Sequence, residues 1–286
     1  MGLRSLAMRV EPGSAAMGLL AALALAYLIA PVVALLQAEP WPDIGAALSD
    51  PLALDATRVS AVSASLATIA VALFGVPLAY ALARWRIPAR GVITGLIYAP
   101  LVFPAVVSGV LQLLVYGPYT PLGAFFSNHC IATGSWLLDG NPCLELSDSL
   151  IGVVLAQTFV AAPFAIVAAR SAFEAINPAT EAVARTLGAS GWRVFWTVSL
   201  PQAWSGVLAG LALTWLRAFG EFGATAVLAY HPYTLPVYVY VQLTGLGTPA
   251  ALPLALIALA VCAVVIAIAL LLSARRAEPE LPGGQP

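Results

Sequence analysis

Lysine is absent from this 286-residue chain, so all 12 basic residues are arginine. A phosphate-binding loop of the G-x-x-x-x-G-K-[ST] type is therefore impossible, and the chain cannot hydrolyse ATP through a P-loop of its own. Charge of either sign is scarce, at 9% of residues, and sums to −1. That excludes a basic nucleic-acid binder and leaves too little charge for a long disordered tail. The two histidines, His129 and His231, are isolated, and no H-E-x-x-H, G-x-S-x-G or C-x-x-C motif occurs. Intramembrane hydrolysis has no support, and neither a catalytic residue nor a metal or cofactor site is expected in this chain.

Apolar residues are abundant instead: 61% of the chain, with a mean hydropathy of +0.95. A soluble fold of this size cannot hide so much apolar surface, whereas hydrocarbon spans of roughly 20 residues each absorb it. Charge-free stretches run from Met17 to Leu36, Val59 to Ala83, Val92 to Tyr116 and Leu150 to Ala169. A fifth, about Trp204 to Tyr230, carries Arg217 and Glu221, and a sixth covers about Ala250 to Ala274. Continuous apolar runs without period-2 alternation select helices, so the expectation is an all-α integral membrane bundle of six helices. The first span is too long for a signal-peptide core and lacks a clear cleavage site, which favours a retained helix. Pro77, Pro100, Pro104, Pro163 and Pro253 are expected to kink their helices, not end them.

If six helices alternate, Arg4, Arg9, Arg84, Arg86, Arg90, Arg170, Arg185, Arg193, Arg275 and Arg276 fall on one side. The other side holds Glu39, Asp43, Asp50, Asp55, Asp139, Glu145 and Asp148, with Arg58 its one basic residue. The positive-inside rule then places both termini in the cytoplasm of a multi-pass cell-membrane protein. The expected layout is a cytoplasmic N-terminus (1–16), a transmembrane domain (17–274) and a cytoplasmic tail (275–286). Within it lie an extracytoplasmic loop (117–149) and a cytoplasmic segment (175–201). Cys130 and Cys143 share that outer loop; they either bridge, adding about 3 kcal/mol by loop-closure entropy, or remain free thiols.

The cytoplasmic segment, AINPATEAVARTLGASGWRVFWTVSLP, carries helix punctuation. Asn177 suits an N-cap and Pro178 the first helical position; Glu181 lies near the positive dipole end, Arg185 follows at i+4, and Gly188 supplies a left-handed stop. A second short helix over about Trp192 to Leu200 is expected to end at Pro201. Two readings follow: an interfacial hairpin with aromatic residues at headgroup level, or a rigid knob docked in a partner's groove.

Glu181-Ala182, Gly188 seven residues on, and Leu200-Pro201 resemble the EAA loop of ABC-importer permeases, with Val183 in place of the second Ala. In that family the loop forms the coupling helix that enters a cleft of the ATP-binding subunit. The resemblance implies docking roles for Glu181, Ala182, Arg185, Thr186, Leu187, Gly188 and Ala189. Leu216 to Thr225 (LRAFGEFGAT) resembles the R-A-x-G-E-F-G-A stretch of oxyanion permeases, and Ala229 to Thr234 with Pro236 resembles a run of their molybdate/tungstate branch. Resemblance extends from about Ser60 to Ala274. It implies a six-helix type I importer permease working as a homodimer in lipid. Two ATP-binding cassette subunits would hold the ATP and Mg, and an extracytoplasmic oxyanion-binding protein would deliver substrate. Sulfate permeases share part of the motif, so sulfate remains an alternative anion.

Arg217 and Glu221 stand one turn apart in a span, where each ionisable group costs about 2.5–3.5 kcal/mol unless paired or hydrated. They form either a structural pair or, with Thr225, part of a translocation path. Gly206 and Gly210 make a G-x-x-x-G that suits close packing, and Gln112, Gln157 and Thr158 are further polar residues for a lining. An ion-coupled secondary transporter and a membrane scaffold are the rival readings; internal inverted repeats, common in the former, are not evident.

Overall fold

The computed structural model describes residues 12–38, 43–128 and 145–274, and these are helical with short connections. Cys130, Cys143 and His129 lie outside the described residues, as do the chain's two ends. In chain order the helices are α1 (Pro12–Gln37), α2 (Asp43–Ser49), α3 (Pro51–Ala70), α4 (Val76–Arg84), α5 (Arg90–Val102), α6 (Ala105–Tyr116) and α7 (Pro121–Asn128). After the loop come α8 (Leu150–Glu174), α9 (Pro178–Thr186), α10 (Gly191–Val194), α11 (Leu200–Phe219), α12 (Gly223–Leu228), α13 (Leu235–Leu246) and α14 (Thr248–Ala274).

Four of the described helical stretches are long and apolar enough to cross a membrane: Ala16–Gln37, Pro51–Arg84, Leu150–Glu174 and Thr248–Leu272. Two of the expected spans are revised. The third is broken: α5 and α6 meet at a bend of 119° around Phe103 and Pro104. Pro104 lies outside both helices with extended backbone, so it ends the span it was expected to kink. Counted as one span, that pair brings the total to five. The fifth expected span stops at Phe219, because the chain leaves the helix at Gly220 and the Glu221 carboxylate accepts from the Ala224 backbone N–H to start α12 (2.8 Å). Pro31, Pro100, Pro163 and Pro253 do lie inside helices.

Pro201 does not end a helix either. Residues 191–219 run on continuously, with a π-helical turn at Phe195–Ser199 immediately before Pro201 in α11. A second π turn, Val71–Gly75, precedes Pro77 in α4 in the same way. Proline removes an N–H and crowds the carbonyl four residues back; the wider turn gives both effects room without breaking the rod.

The helix α8 forms the centre of the bundle, with Gly152, Ala156, Val160, Ala165, Ala169 and Phe173 among its buried residues. α3 brings a stripe of small residues, Ala53, Ala56, Ser60, Ser63, Ala64 and Ala67, at helical spacing. Small side chains let helix axes approach closely, where dispersion contacts hold them. The glycine pair of α11 does the same against α8: a Cβ on Gly206 would stand 2.6 Å from the Ala172 Cβ, and one on Gly210 2.8 Å from the Ala168 Cβ. Thr214 secures this seam by donating to the Ala161 carbonyl (3.3 Å). By contrast, α1 along its length and α14 over its second half, from Val264 to Leu272, leave Leu, Ile and Val side chains exposed, a surface suited to lipid.

Candidate functional site

Two places join the residues that the sequence singles out. The first lies at the arginine-rich end of the bundle. There Asn177 accepts from the Ala179 N–H (3.0 Å), Pro178 starts α9, and Gly188 turns the chain at φ +87°. A residue with a Cβ would be strained at that φ, which is why glycine stands where the helix must stop.

Glu181, on α9, faces inward and is 1% exposed. Its Oε1 accepts from the Arg84 Nε (2.8 Å) and the Ser199 hydroxyl (2.9 Å), and its Oε2 from Arg185 (3.2 Å). Arg84 also donates to the Ile176 carbonyl at 3.2 Å. One carboxylate thus fixes α9 to the last turn of α4 and to the π turn ahead of α11. A carboxylate this deep is tolerable only with such partners, since unpaired burial of charge is far more costly than any surface contact. Beneath it Tyr80 packs edge to face with Phe173 and Phe195, which are tilted against each other, with ring centroids 5.0–6.0 Å apart. Beside it, Glu174 pairs with Arg90 and Arg170, each at 2.9 Å.

The residues expected to dock a partner therefore divide. Ala182, Arg185, Thr186, Leu187 and Gly188 are exposed and Ala189 is half-buried, whereas Glu181 points into the bundle as an anchor. Val183 and Leu187, 59% and 83% exposed, give α9 an apolar outer face on a helix otherwise too polar to hold lipid. Trp192 and Trp196 are also exposed, on the rod that follows. Arg84 was not marked by the sequence as part of this group. Arg84 lies 97 positions from Glu181, and no local spacing signals such a pairing.

The second place is where α11 breaks. Arg217 forms an ion pair with Glu221, which is 1% exposed while the Arg217 side chain keeps 32% of its surface. The pair, with the Glu221–Ala224 bond, carries the chain across the break into α12. Thr225, Gln112 and Gln157 are buried nearby among α6, α8 and α12, as is Ser108, which sequence reading did not single out. A hydroxyl on an apolar helix gives no signal until its neighbours are known. Among the described residues no group of three or more His, Cys, Asp or Glu side chains is placed to hold a metal ion.

Residues 72–278 match the family model described as "Binding-protein-dependent transport system inner membrane component". The chain is 42% identical over 239 residues to a probable molybdenum ABC transporter permease protein of Haloferax volcanii, covering 84% of this chain and 82% of that one. It is 37% identical over 235 residues to the molybdate/tungstate transport system permease protein WtpB of Thermococcus kodakarensis (82% and 85%). It is 33% identical over 244 residues to the molybdenum transport system permease protein ModB of Mycobacterium tuberculosis (84% and 87%). Among solved structures, a bacterial ABC transporter that imports alginate superposes with a TM-score of 0.67 at 17% identity, covering 92% of this chain and 96% of that one. The MetNI methionine ABC transporter in an inward-facing conformation gives 0.57 at 14% identity (78% and 95%). At these identities the structures speak for the fold.

Proposed function

This chain belongs to the family of binding-protein-dependent transport system inner membrane components, and we propose that it is the permease subunit of an ATP-driven importer of molybdate or tungstate. The observation that carries the reading is 42% identity, over most of both chains, to a relative named for molybdenum transport. A probable sulfate transport system permease protein of Zygnema circumcarinatum is also similar, at 31% identity over 205 residues. The greater identity to the molybdenum and molybdate/tungstate proteins favours those anions.

The chain has no P-loop lysine, so ATP and Mg belong to a separate ATP-binding cassette subunit, docked on the exposed face of α9. An extracytoplasmic binding protein delivers the anion; one solved relative of the same fold is described in complex with a substrate-bound periplasmic protein. Two copies of this chain make the pathway, with both termini in the cytoplasm. Such coupling is needed energetically: bringing a dianion into a cell with a negative interior costs about 4.6 kcal/mol per 100 mV, before any concentration gradient. ATP binding closes the partner subunits, draws the two α9 helices together and rocks the bundle; hydrolysis resets it.

The test is reconstitution of this chain in vesicles with its ATP-binding subunit and binding protein. ATP-dependent molybdate uptake that stops when either partner is omitted is the expected result. Uptake that persists without the ATPase would replace this mechanism with ion-coupled transport.

A further inference from the structure

In this structure α6, α8 and α12 close on one another with almost no room to spare. A Cβ on Gly109 of α6 would stand 2.7 Å from the Val227 Cβ and 2.8 Å from the Ala224 carbonyl oxygen of α12. One on Gly223 would meet the Ala105 Cβ at 2.7 Å, so α6 and α12 run parallel. One on Gly152 of α8 would meet the Ala229 Cβ at 2.9 Å, and Ala156 and Val160 pack with Ala224 and Leu228. α12 is therefore antiparallel to α8.

That register brings four buried polar residues within about one helical turn of one another along the seam of α6, α8 and α12. Ser108 and Gln112 lie one turn apart on α6, flanking the close approach at Gly109. Thr225 follows Ala224 on α12, and Gln157 follows Ala156 on α8. All four are at most 4% exposed. The Ser108 and Thr225 hydroxyls and both polar atoms of each glutamine amide make no hydrogen bond within the described protein. Elsewhere in the bundle Ser60 accepts from the Leu235 N–H, Ser199 donates to Glu181 and Thr214 donates to the Gly210 carbonyl, while the buried Thr234 hydroxyl, also unbonded, stands alone and not in a cluster. Buried polar groups of folded proteins are nearly always paired, so a cluster that is not calls for a partner in another conformation.

We propose that Ser108, Gln112, Gln157 and Thr225 form an uncharged hydrogen-bonding site for the transported oxyanion, shut in this conformation and exposed when α6 and α12 part from α8. The proposal rests on the function argued above and names a place where the anion is held. Each amide supplies two donor hydrogens and each hydroxyl one, a set suited to the oxygens of a tetrahedral anion. None of the four carries charge, and the nearby arginine, Arg217, is already paired to Glu221. Neutral dipoles stabilise an anion enough to let it enter and weakly enough to let it leave. The breaks at Pro104 and Gly220 leave α6 and α12 as short segments that can move against the longer helices.

The experiment uses the full complex in vesicles, with Gln157→Leu and Thr225→Val as apolar replacements of similar size. Removing an unpaired buried polar group does not loosen the fold, so the thermal midpoint is expected to hold or rise. Molybdate delivered per ATP hydrolysed is expected to fall tenfold or more, and the ratio of molybdate to sulfate uptake to change. A packing role would scale all transport equally and leave both ratios unchanged. Delivery per ATP within twofold of the unsubstituted complex in either variant overturns the proposal. Should Gln157→Leu fail to assemble, Thr225→Val decides by the same criterion. An unsubstituted complex that moves no molybdate defeats the functional reading itself, and the site with it.

Discussion

Glu181 and Arg84, 97 positions apart in sequence, meet with Oε1 and Nε at 2.8 Å in a site where the carboxylate is almost fully enclosed. The bond makes the short helix α9 part of the bundle instead of a loose appendage. Arg84 ties α9 to α4, and Ser199 ties it to the π turn ahead of α11.

Removal of one member of this pair strands the other. Glu181→Leu or Arg84→Met is expected to lower stability by about 3–5 kcal/mol, the usual result of breaking a buried ion pair. The Glu181→Leu plus Arg84→Met double variant should lose less than either single variant. Thermal unfolding in detergent, arranged as a double-mutant cycle, checks this; additive losses would show that the two side chains act independently.

The exposed face of α9 should behave in the opposite way. Leu187→Asp is expected to change stability by less than about 0.5 kcal/mol, since the side chain touches little of its own protein. It should abolish co-purification with the ATP-binding subunit. Retention of that subunit at the unsubstituted level would remove the docking face from the mechanism.

Glycine positions give a third test. Gly210→Val places new atoms against Ala165 and Ala168 and is expected to cost about 1–3 kcal/mol through overpacking. A Cβ at Gly245 meets nothing within 4 Å, so Gly245→Ala should be neutral or slightly stabilising, as glycine is the poorer helix former by about 1 kcal/mol. Thermal midpoints of the two variants, measured side by side, separate contact from propensity.

At the break after α11, Glu221→Gln is expected to be milder than Glu221→Ala. The amide oxygen still accepts from the Ala224 N–H, whereas alanine leaves that donor and Arg217 without their partner. Hydrogen exchange of the amides at 223–228 reports the start of α12; equal protection in both variants would assign the break to Gly220 alone.

Much of the fold was legible in composition. The long apolar runs at 17–36, 59–83, 150–169 and 250–274 all lie within described helices, because apolar side chains and the need to satisfy backbone polar groups leave lipid-exposed segments little choice. The cap at Asn177 and the stop at Gly188 were equally local matters of side-chain reach and allowed φ. Pro104 and Pro201 were misjudged for one shared reason. Whether a proline bends, ends or is absorbed by a helix depends on whether neighbouring turns can widen and what rehouses the freed carbonyl, and neither is written in adjacent residues.

Sequence alone determined that this is a membrane bundle without a P-loop of its own, since hydropathy and the lack of lysine are properties of the chain whatever its conformation. Only the tertiary structure decided that Glu181 is an inward anchor, that Gly206 and Gly210 press against α8, and that Ser108, Gln112, Gln157 and Thr225 are all enclosed on helices that pack together. Those relations join helices far apart in the chain. The partner of a buried polar group is chosen by packing in space, which no spacing along the sequence encodes.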